Sequence, residues 1–202
     1  MTTDYEINNV KKIYQVIASD FSITRINRWS WITDFIMQEP KNSLIYDIGC
    51  GSGRNMKYKD YNFIGVDNCD SFVNMCQKQG LNTIYSEMIN IALESNSADA
   101  IINIAAFHHL SSVENRIKAL KELKRLVKYG GKILLSVWSI NQPSKTRVTF
   151  ENYGNNIVYW KKIYPRYYYI FEIPELYDLF EHVGLTVISH EYDCGNEVFI
   201  LH

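Results

Sequence analysis

Two acidic residues and a run of alternating glycines are the first residues in the chain whose types and spacing suggest chemistry. An apolar run ends in Asp47 and breaks into Gly49-x-Gly51-x-Gly53, and a second apolar run ends in Asp67. Glycines at this spacing let the backbone turn tightly and approach a ligand closely. An acid at the tip of the next strand can accept hydrogen bonds from both hydroxyls of a ribose. The pattern predicts a nucleoside-binding site.

The glycine spacing narrows the choice of nucleoside. A dinucleotide fold expects G-x-G-x-x-G with a helix N-terminus facing a pyrophosphate. The chain has D-x-G-x-G-x-G with no G-K-[ST] after it, so phosphate binding is not indicated. S-adenosyl-L-methionine, which has a ribose and an adenine but no phosphate, suits this pattern. A purely structural turn between strand and helix is the competing interpretation, and Asp67 in register favours the nucleoside site.

Further candidates follow the ends of the next predicted strands. Glu87 ends the third strand, where an acid can read the adenine edge, and Met88 can pack against the ring. A solvated loop acid beside a core methionine is the alternative. The full set of candidate cofactor-binding residues is Asp47, Gly49, Cys50, Gly51, Gly53, Asp67, Asn68, Glu87, Met88 and Ile104.

The segment after the fourth strand should face the methyl group and the acceptor. It carries the adjacent histidines His108 and His109, which suggest an acid-base device or a metal site. Adjacent histidines without a third ligand seldom bind metal, so no metal site is expected. We expect one histidine to cap the next helical region and the other to contact the acceptor, and the sequence does not say which. Arg25 and Arg166 lie among aromatic residues and are candidates for holding an anion bidentately, although solvated surface charge is the alternative.

Composition limits the function classes. The 202 residues are 47% hydrophobic and 21% charged, with a formal net charge of −1, which is typical of one globular domain. RNA binding would therefore need local basic patches. No run approaches the roughly 18 apolar residues of a membrane span, and the N-terminal residues lack a signal-peptide core. The four cysteines are scattered without a C-x-x-C pair, which indicates reduced thiols in a cytosolic or nuclear protein and no zinc site. The 15 tyrosines suit base stacking or ordinary packing equally well.

The elements that must position these residues alternate, as a parallel α/β sheet requires. Apolar periodicity predicts helices at 7–18, 29–37, 71–79, 111–128 and 174–183, and strands at Leu44–Ile48, 62–66, 83–86, 99–104, 132–138, 186–190 and 197–201. Ser111 and Glu114 predict a capping box for the fourth helix, and Gly130 with Gly131 predicts its end. The final strand pair, joined by a turn near Gly195, predicts an antiparallel edge hairpin on a mostly parallel seven-stranded sheet. This is the class I methyltransferase (Rossmann-like) plan. We expect one domain over 1–202, with an N-terminal helical cap at 1–40 and a substrate-facing insertion at 141–169.

Over nearly its whole length the chain resembles the eukaryotic tRNA wobble-uridine methyltransferases that esterify 5-carboxymethyluridine, and the methyltransferase domain of the related tRNA hydroxylase fusion. The resemblance lies in Y-x-x-I-A-x-x-F-S-x-T-R at 14–25, D-I-G-C-G-S-G at 47–53, I-A-A-F-H-H-L-S at 104–111, R-I-K-A-L-K-E-L at 116–123, G-G-K-I-L-L-S-V-W at 130–138, R-Y-Y-Y-I-F at 166–171 and E-Y-D-C-G-N at 191–196. The chain departs from the family pattern at Glu87, Tyr129 and Glu197, where family members usually carry Asp, Pro and Trp. The insertion after the fifth strand also looks short.

The resemblance implies an S-adenosyl-L-methionine-dependent O-methyltransferase that esterifies the carboxylate of 5-carboxymethyluridine at the tRNA wobble position. In that reaction Arg25 and Arg166 would anchor the carboxylate, and His109 or His108 would add a hydrogen bond. The implied partners are tRNA and a small zinc-binding activator subunit along the sheet edge. Two alternatives stay open: a methyltransferase of the same fold acting on a small carboxylate or phenol, and an inactive cofactor-binding scaffold.

Overall fold

The computed structural model of the chain describes residues 1–24, 27–146 and 148–202. Nine strands occur in these ranges, seven of them in one sheet and two in a separate hairpin. The strands are β1 (Leu44–Ile48), β2 (Asn62–Asp67), β3 (Thr83–Tyr85), β4 (Ala98–Ile104), β5 (Val127–Trp138), β6 (Gly154–Trp160), β7 (Tyr164–Ile170), β8 (Val187–Asp193) and β9 (Asn196–Leu201).

The large sheet has the order β3-β2-β1-β4-β5-β9-β8. Strands β1 to β5 pair in parallel, and β9 lies antiparallel between β5 and β8. The turn between β8 and β9 is formed by Cys194 and Gly195, both at positive φ. The strand order reverses between β1 and β4, and ligands bind at this position in open α/β sheets. The predicted α/β class I methyltransferase sheet with an antiparallel C-terminal hairpin is confirmed.

Helices cover both faces of the sheet. They are α1 (Asp4–Glu6), which continues through the π-helical turn Ile7–Lys11 into α2 (Lys12–Ile23), then α3 (Ser30–Met37), α4 (Asp70–Lys78), α5 (Val113–Leu126) and α6 (Ile173–His182), with short 3-10 helices at Arg54–Met56, Phe107–His109 and Ser144–Thr146. Neighbouring residues of β4 point to opposite faces: Ile101 packs in the core that contains α5 and α6, and Ile102 in the core that contains α3. Burial on both faces explains why three successive residues of β4, Ala100, Ile101 and Ile102, are apolar.

Two predicted details of α5 are wrong. The residue that caps the helix is Ser112, whose hydroxyl accepts the Asn115 backbone N–H, and Ser111 instead donates to Glu6 Oε1 at the other end of the chain. The helix also ends at Leu126, before the two glycines. Gly131 lies inside β5, where an added Cβ would come within 2.6 Å of a backbone oxygen of β4. Packing between two strands, and not helix termination, is what requires this glycine.

The insertion after β5 is more regular than the sequence suggests. Strands β6 and β7 pair antiparallel, and their turn includes Lys161 and Lys162 with φ of 50° and 61°. The hairpin packs through Val158 and Tyr168 against Trp138, the last residue of β5. The insertion is therefore held over the carboxyl end of the sheet. Among the described helices, none combines the length and apolar character needed to cross a bilayer.

Candidate functional site

A cavity of about 970 Å³ opens at the carboxyl ends of β1, β2, β4 and β5. The N-terminal helices and the β6–β7 hairpin contribute its other walls. The predicted site residues that line it are Gly49, Cys50, Gly51, Asp67, Asn68, Glu87, Met88, Ile104, His108, His109 and Arg166. Asp47, beneath the glycine loop, and Gly53, at the end of the loop, are not part of the lining. Arg25 lies outside the described residues.

The three glycines of the loop have different roles, although all have positive φ. A Cβ on Gly49 would come within 2.4 Å of the Ala106 Cβ, so this glycine permits close packing of β1 against the end of β4. A Cβ on Gly53 would meet Leu81 at 2.4 Å, which is a packing constraint away from the cavity. Gly51 has no neighbour within 4 Å of such a Cβ and lines the cavity. Gly49 also lines the cavity, but of these three glycines Gly51 is the one at which a side chain would project into open space, so its bare backbone is accessible to a ligand.

Asp67 lies at the end of β2 and is held by the loop that faces it. Its Oδ2 accepts the Gly51 N–H at 2.8 Å, and its Oδ1 accepts the Cys69 N–H at 2.9 Å. Burial raises the pKa of Asp67 to about 6, against the opposing effect of these backbone N–H groups. Each carboxylate oxygen keeps a further lone pair. The carboxylate is thus oriented to accept hydrogen bonds from a diol in the cavity.

Asp47 is a buried carboxylate beneath the glycine loop. Only 1% of the residue is exposed, and neither oxygen has a hydrogen-bond partner within the described ranges. Burial raises its pKa to about 7, although Arg54 favours the charged form. Asn55 Oδ1 and Asn103 Oδ1 are likewise buried without a described partner. This side of the site therefore holds several hydrogen-bond acceptors that the described chain does not satisfy.

Glu87 joins the N-terminal helix to the strand ends. Its Oε2 accepts from Asn68 Nδ2 at 2.8 Å and from Thr2 Oγ1 at 2.9 Å, and its Oε1 pairs with Lys11 Nζ at 3.2 Å. The neighbouring Met88 sulfur lies 3.6 Å from Asn103 Nδ2. Both side chains line the cavity, as predicted for an adenine-facing pair, but Glu87 already has three partners.

His108 follows β4 in a 3-10 helix and has one unused donor. Its Nδ1 accepts the Trp138 backbone N–H at 3.0 Å, so in the neutral ring Nε2 carries the proton. That nitrogen is buried without a partner in the described chain. Burial, with His109 and Arg166 nearby, lowers the His108 pKa well below its usual value. His108 is therefore a neutral donor directed by its Nδ1 bond.

His109, in contrast, uses both ring nitrogens. Its Nδ1 donates to the Tyr167 carbonyl at 2.7 Å, and its Nε2 accepts from the Tyr14 hydroxyl at 3.0 Å. Burial lowers its pKa to about 3, with Arg166 contributing. Neither histidine caps α5, so that part of the prediction is wrong. The reason is that both rings turn inward, toward β5 and the β6–β7 hairpin.

Arg166 is a buried cation in an aromatic box. Only 3% of it is exposed, and its guanidinium lies 5.3–5.9 Å from the ring centroids of Tyr14, Phe21, Trp160 and Tyr168. One Nη donates to the Tyr14 hydroxyl at 3.3 Å. Its Nε, like the indole Nε1 of Trp160, is buried with no described partner, and no described carboxylate forms an ion pair with it. A buried charge without a counterion is costly, so an anion that enters here is favoured.

Three aromatic residues near Arg166 and the two histidines were not predicted as site residues from the sequence. Tyr14 lies in the segment 14–25 that carries the family resemblance, and its aromatic type was the available signal. Trp138 ends β5, so the strand-end rule that selected Ile104 would have found it. Trp160 has no local signal, because the hairpin alone brings it to the cavity.

The chain is similar in sequence to known methyltransferases. The family described as methyltransferase domain matches residues 46–135. A tRNA (carboxymethyluridine(34)-5-O)-methyltransferase of Schizosaccharomyces pombe is 31% identical over 222 residues, covering 97% of this chain and 96% of that protein. The Mus musculus protein of the same name, ALKBH8, is 36% identical over 71% of this chain. The chain spans only 22% of the mouse protein's length.

Solved structures share the fold at low identity. A chain from the complex between the Haloferax volcanii Trm112 methyltransferase activator and a methyltransferase superposes with a TM-score of 0.72 at 14% identity, covering 95% of this chain and 96% of that one. A SAM-dependent methyltransferase of Methanosarcina mazei gives 0.69 at 17% identity, covering 87% and 97%. The near full-length match to the fission-yeast protein confirms the resemblance in the sequence: this chain belongs to the tRNA (carboxymethyluridine(34)-5-O)-methyltransferase family.

Proposed function

We propose that the protein transfers a methyl group from S-adenosyl-L-methionine to the carboxylate of 5-carboxymethyluridine at the wobble position of tRNA. The observation that carries the proposal is the anion pocket at one wall of the cavity. There the buried Arg166 Nε–H, the His108 Nε2–H and the Trp160 Nε1–H are donors without described partners. A carboxylate offers two oxygens and a negative charge to such a set. The names of the relatives support the same acceptor.

The residues on the opposite wall fit the cofactor. Bare backbone at Gly51 and the oriented carboxylate of Asp67 suit a ribose, and the unsatisfied Asp47 carboxylate favours a cation nearby. When bound, S-adenosyl-L-methionine supplies a methyl group made electrophilic by its sulfonium. The names of several structural neighbours, which are SAM-dependent methyltransferases, support this assignment.

The chain's contribution to the transfer is binding, orientation and exclusion of water. A carboxylate with a pKa near 4 is already ionised at neutral pH, so no general base is needed. Arg166 and Trp160 would hold the acceptor, and His108 would donate a neutral hydrogen bond that withdraws less charge than a cation. Placing two reactants in a dry cavity can lower the barrier by several kcal/mol. The arrangement suits a nucleophile that must stay reactive while it is held.

Tyr14 would keep this wall in place. Its hydroxyl accepts from Arg166 and donates to His109, whose Nδ1 is fixed by the Tyr167 carbonyl. We therefore assign His109 to positioning and His108 to the acceptor. Arg25 remains proposed as a second anchor from the family resemblance.

tRNA and an activator subunit are the proposed partners. The relatives' names give the tRNA, and a structural neighbour comes from a complex with the Trm112 activator. In the described sheet the edge strands are β3 and β8, and an edge strand offers unpaired backbone groups to a partner. The N-terminal helical segment and the hairpin insertion are proposed to cover the cofactor and to face the RNA.

Mass spectrometry of nucleosides tests this function. The protein, with and without a Trm112-type activator, is incubated with labelled cofactor and tRNA that carries 5-carboxymethyluridine. The expected product is a methyl ester that mild alkali hydrolyses. Methylation of small carboxylates or phenols alone would favour the small-molecule alternative. Cofactor binding without transfer to any acceptor, with the activator present, would favour the inactive scaffold.

A further inference from the structure

A smaller depression of about 280 Å³ adjoins the mouth of the main cavity. The two share four lining residues, which are Ile23, Arg28, Ser52 and Arg54. Lys57 completes the cationic part of the lining. Of the described residues that line this depression, which we call the basic groove, three are cationic and none is acidic. The groove is therefore a local positive surface on a chain whose formal net charge is only −1.

Backbone contacts hold the two arginines side by side. Arg28 Nε donates to the Arg54 carbonyl at 2.9 Å, and Arg54 Nη1 donates to the Asn27 carbonyl at 3.0 Å. Arg28 Nη2 also reaches the Lys57 carbonyl at 3.4 Å. These bonds fix both side chains, and those of Arg28 leave its charge un-neutralised, because a carbonyl carries no net charge. Like charges held together repel, and a bound anion would relieve that repulsion.

Aromatic rings lie beneath the same cations. The Arg28 guanidinium is 4.5 Å from the Tyr58 ring centroid, and the Arg54 guanidinium is 4.7 Å from that of Trp29. Trp29 stacks on Trp31 at 5.5 Å with 19° between the planes. Basic groups combined with aromatic platforms are the usual surface for single-stranded nucleic acid. The combination favours RNA over an acidic peptide.

We propose that Arg28 and Lys57 bind backbone phosphates of the RNA next to the nucleotide whose base enters the cavity. This inference rests on the proposed function and adds a phosphate-binding surface to it. Both side chains are exposed, and the groove leads directly into the mouth of the main cavity. A wobble nucleotide inserted there would carry its flanking phosphates across the groove. Arg54 also influences Asp47 within the site, so it is not used as a test position.

The test is tRNA binding by fluorescence anisotropy over a salt series with the Arg28→Gln/Lys57→Gln double variant. Losing two phosphate contacts should weaken tRNA binding about tenfold near 0.1 M salt and reduce the slope of log K against log salt by about 1.5. Cofactor affinity, measured by calorimetry, should stay unchanged. The matched control, Lys41→Gln/Lys128→Gln, removes two charges that form ion pairs away from the groove. That control should bind tRNA as the wild type does.

An unchanged tRNA affinity and salt slope would overturn the proposal. A loss of cofactor affinity would overturn it as well, by showing that the groove serves the cofactor's own carboxylate. An equal loss of tRNA affinity in the control variant would also overturn it, because overall charge, and not the groove, would then explain the effect. Binding is measured without methyl transfer, so failure of the proposed reaction would be seen separately in the nucleoside assay.

Discussion

The two walls of the cavity differ in the kind of polar group that the described chain leaves unsatisfied. Toward the glycine loop the buried, unpartnered atoms are acceptors, on Asn55 in the lining and on Asp47 and Asn103 behind it. Toward the β6–β7 hairpin three are donors, on His108, Trp160 and Arg166, and one is an acceptor, Asn196 Oδ1, which lies beside Trp138 at the start of β9. Buried polar atoms are normally paired, so two sets of opposite character indicate two ligands of opposite character. The comparison indicates that the glycine-loop side favours a ligand that donates hydrogen bonds or carries positive charge, and that the hairpin side, around Arg166, favours an anion.

Mutations on the side of the cavity toward the β6–β7 hairpin, which we call the donor wall, should have the largest effect on methyl transfer. Arg166→Lys keeps the charge but loses the Nε–H and the planar fork, so the held carboxylate would be misplaced. We expect methyl transfer to fall by about 1,000-fold, while cofactor affinity changes less than twofold. Single-turnover kinetics and calorimetry measure the two quantities. The control is Lys162→Arg, which lies in the same hairpin but is exposed. If Arg166→Lys lowered cofactor affinity as much as it lowered the rate of methyl transfer, the two walls would not bind separate ligands.

On the side of the cavity toward the glycine loop, which we call the glycine-loop wall, Asp67→Ala should weaken cofactor binding. Because Asp67 is proposed to accept both ribose hydroxyls, removing its carboxylate should cost roughly 1.5–3 kcal/mol of binding free energy. Calorimetric titration with S-adenosyl-L-methionine measures the loss, and Asp60→Ala on the surface serves as the control. Wild-type affinity in Asp67→Ala would remove this residue from the cofactor site.

The histidines offer a sharper comparison within the donor wall. His108→Asn keeps an acceptor for the Trp138 N–H but removes the Nε2 donor, and His109→Asn keeps a donor for the Tyr167 carbonyl but removes the acceptor for Tyr14. We expect about a tenfold lower transfer rate for His108→Asn with unchanged thermal stability. His109→Asn should lower the melting temperature as well. The reverse pattern would place His109, and not His108, at the acceptor.

Asp47 should show a smaller effect, on stability. Its pKa is raised to about 7 in the fold from an ordinary value of 3.8, so the native state binds more protons than the unfolded state between these values. Stability contributed by the protonated form is therefore present at low pH and lost as pH rises toward 7. Asp47→Asn should gain about 1–2 kcal/mol in free energy of unfolding at pH 8 and less at pH 5. Urea denaturation at both pH values measures it; a destabilised variant at pH 8 would contradict the account.

The glycine-loop wall could largely be predicted from the sequence, and the donor wall could not. The glycines and acids of this wall directly follow apolar runs that mark the strands. The predicted bounds of β1 and the predicted end of β2 therefore agree with the structure to within one residue. The donor wall is assembled from α2, the segment after β4 and a hairpin that no local pattern predicted. Which histidine keeps a free donor depends on tertiary hydrogen bonds from Trp138 and Tyr167.

We propose that the donor wall selects a carboxylate. Single-turnover methyl transfer is therefore compared between one tRNA carrying 5-carboxymethyluridine and the same tRNA carrying the 5-carbamoylmethyl amide, which has the same shape without the charge. We expect rapid formation of the methyl ester with the first and a rate at least about 1,000-fold lower with the second. Comparable rates on both RNAs would contradict it.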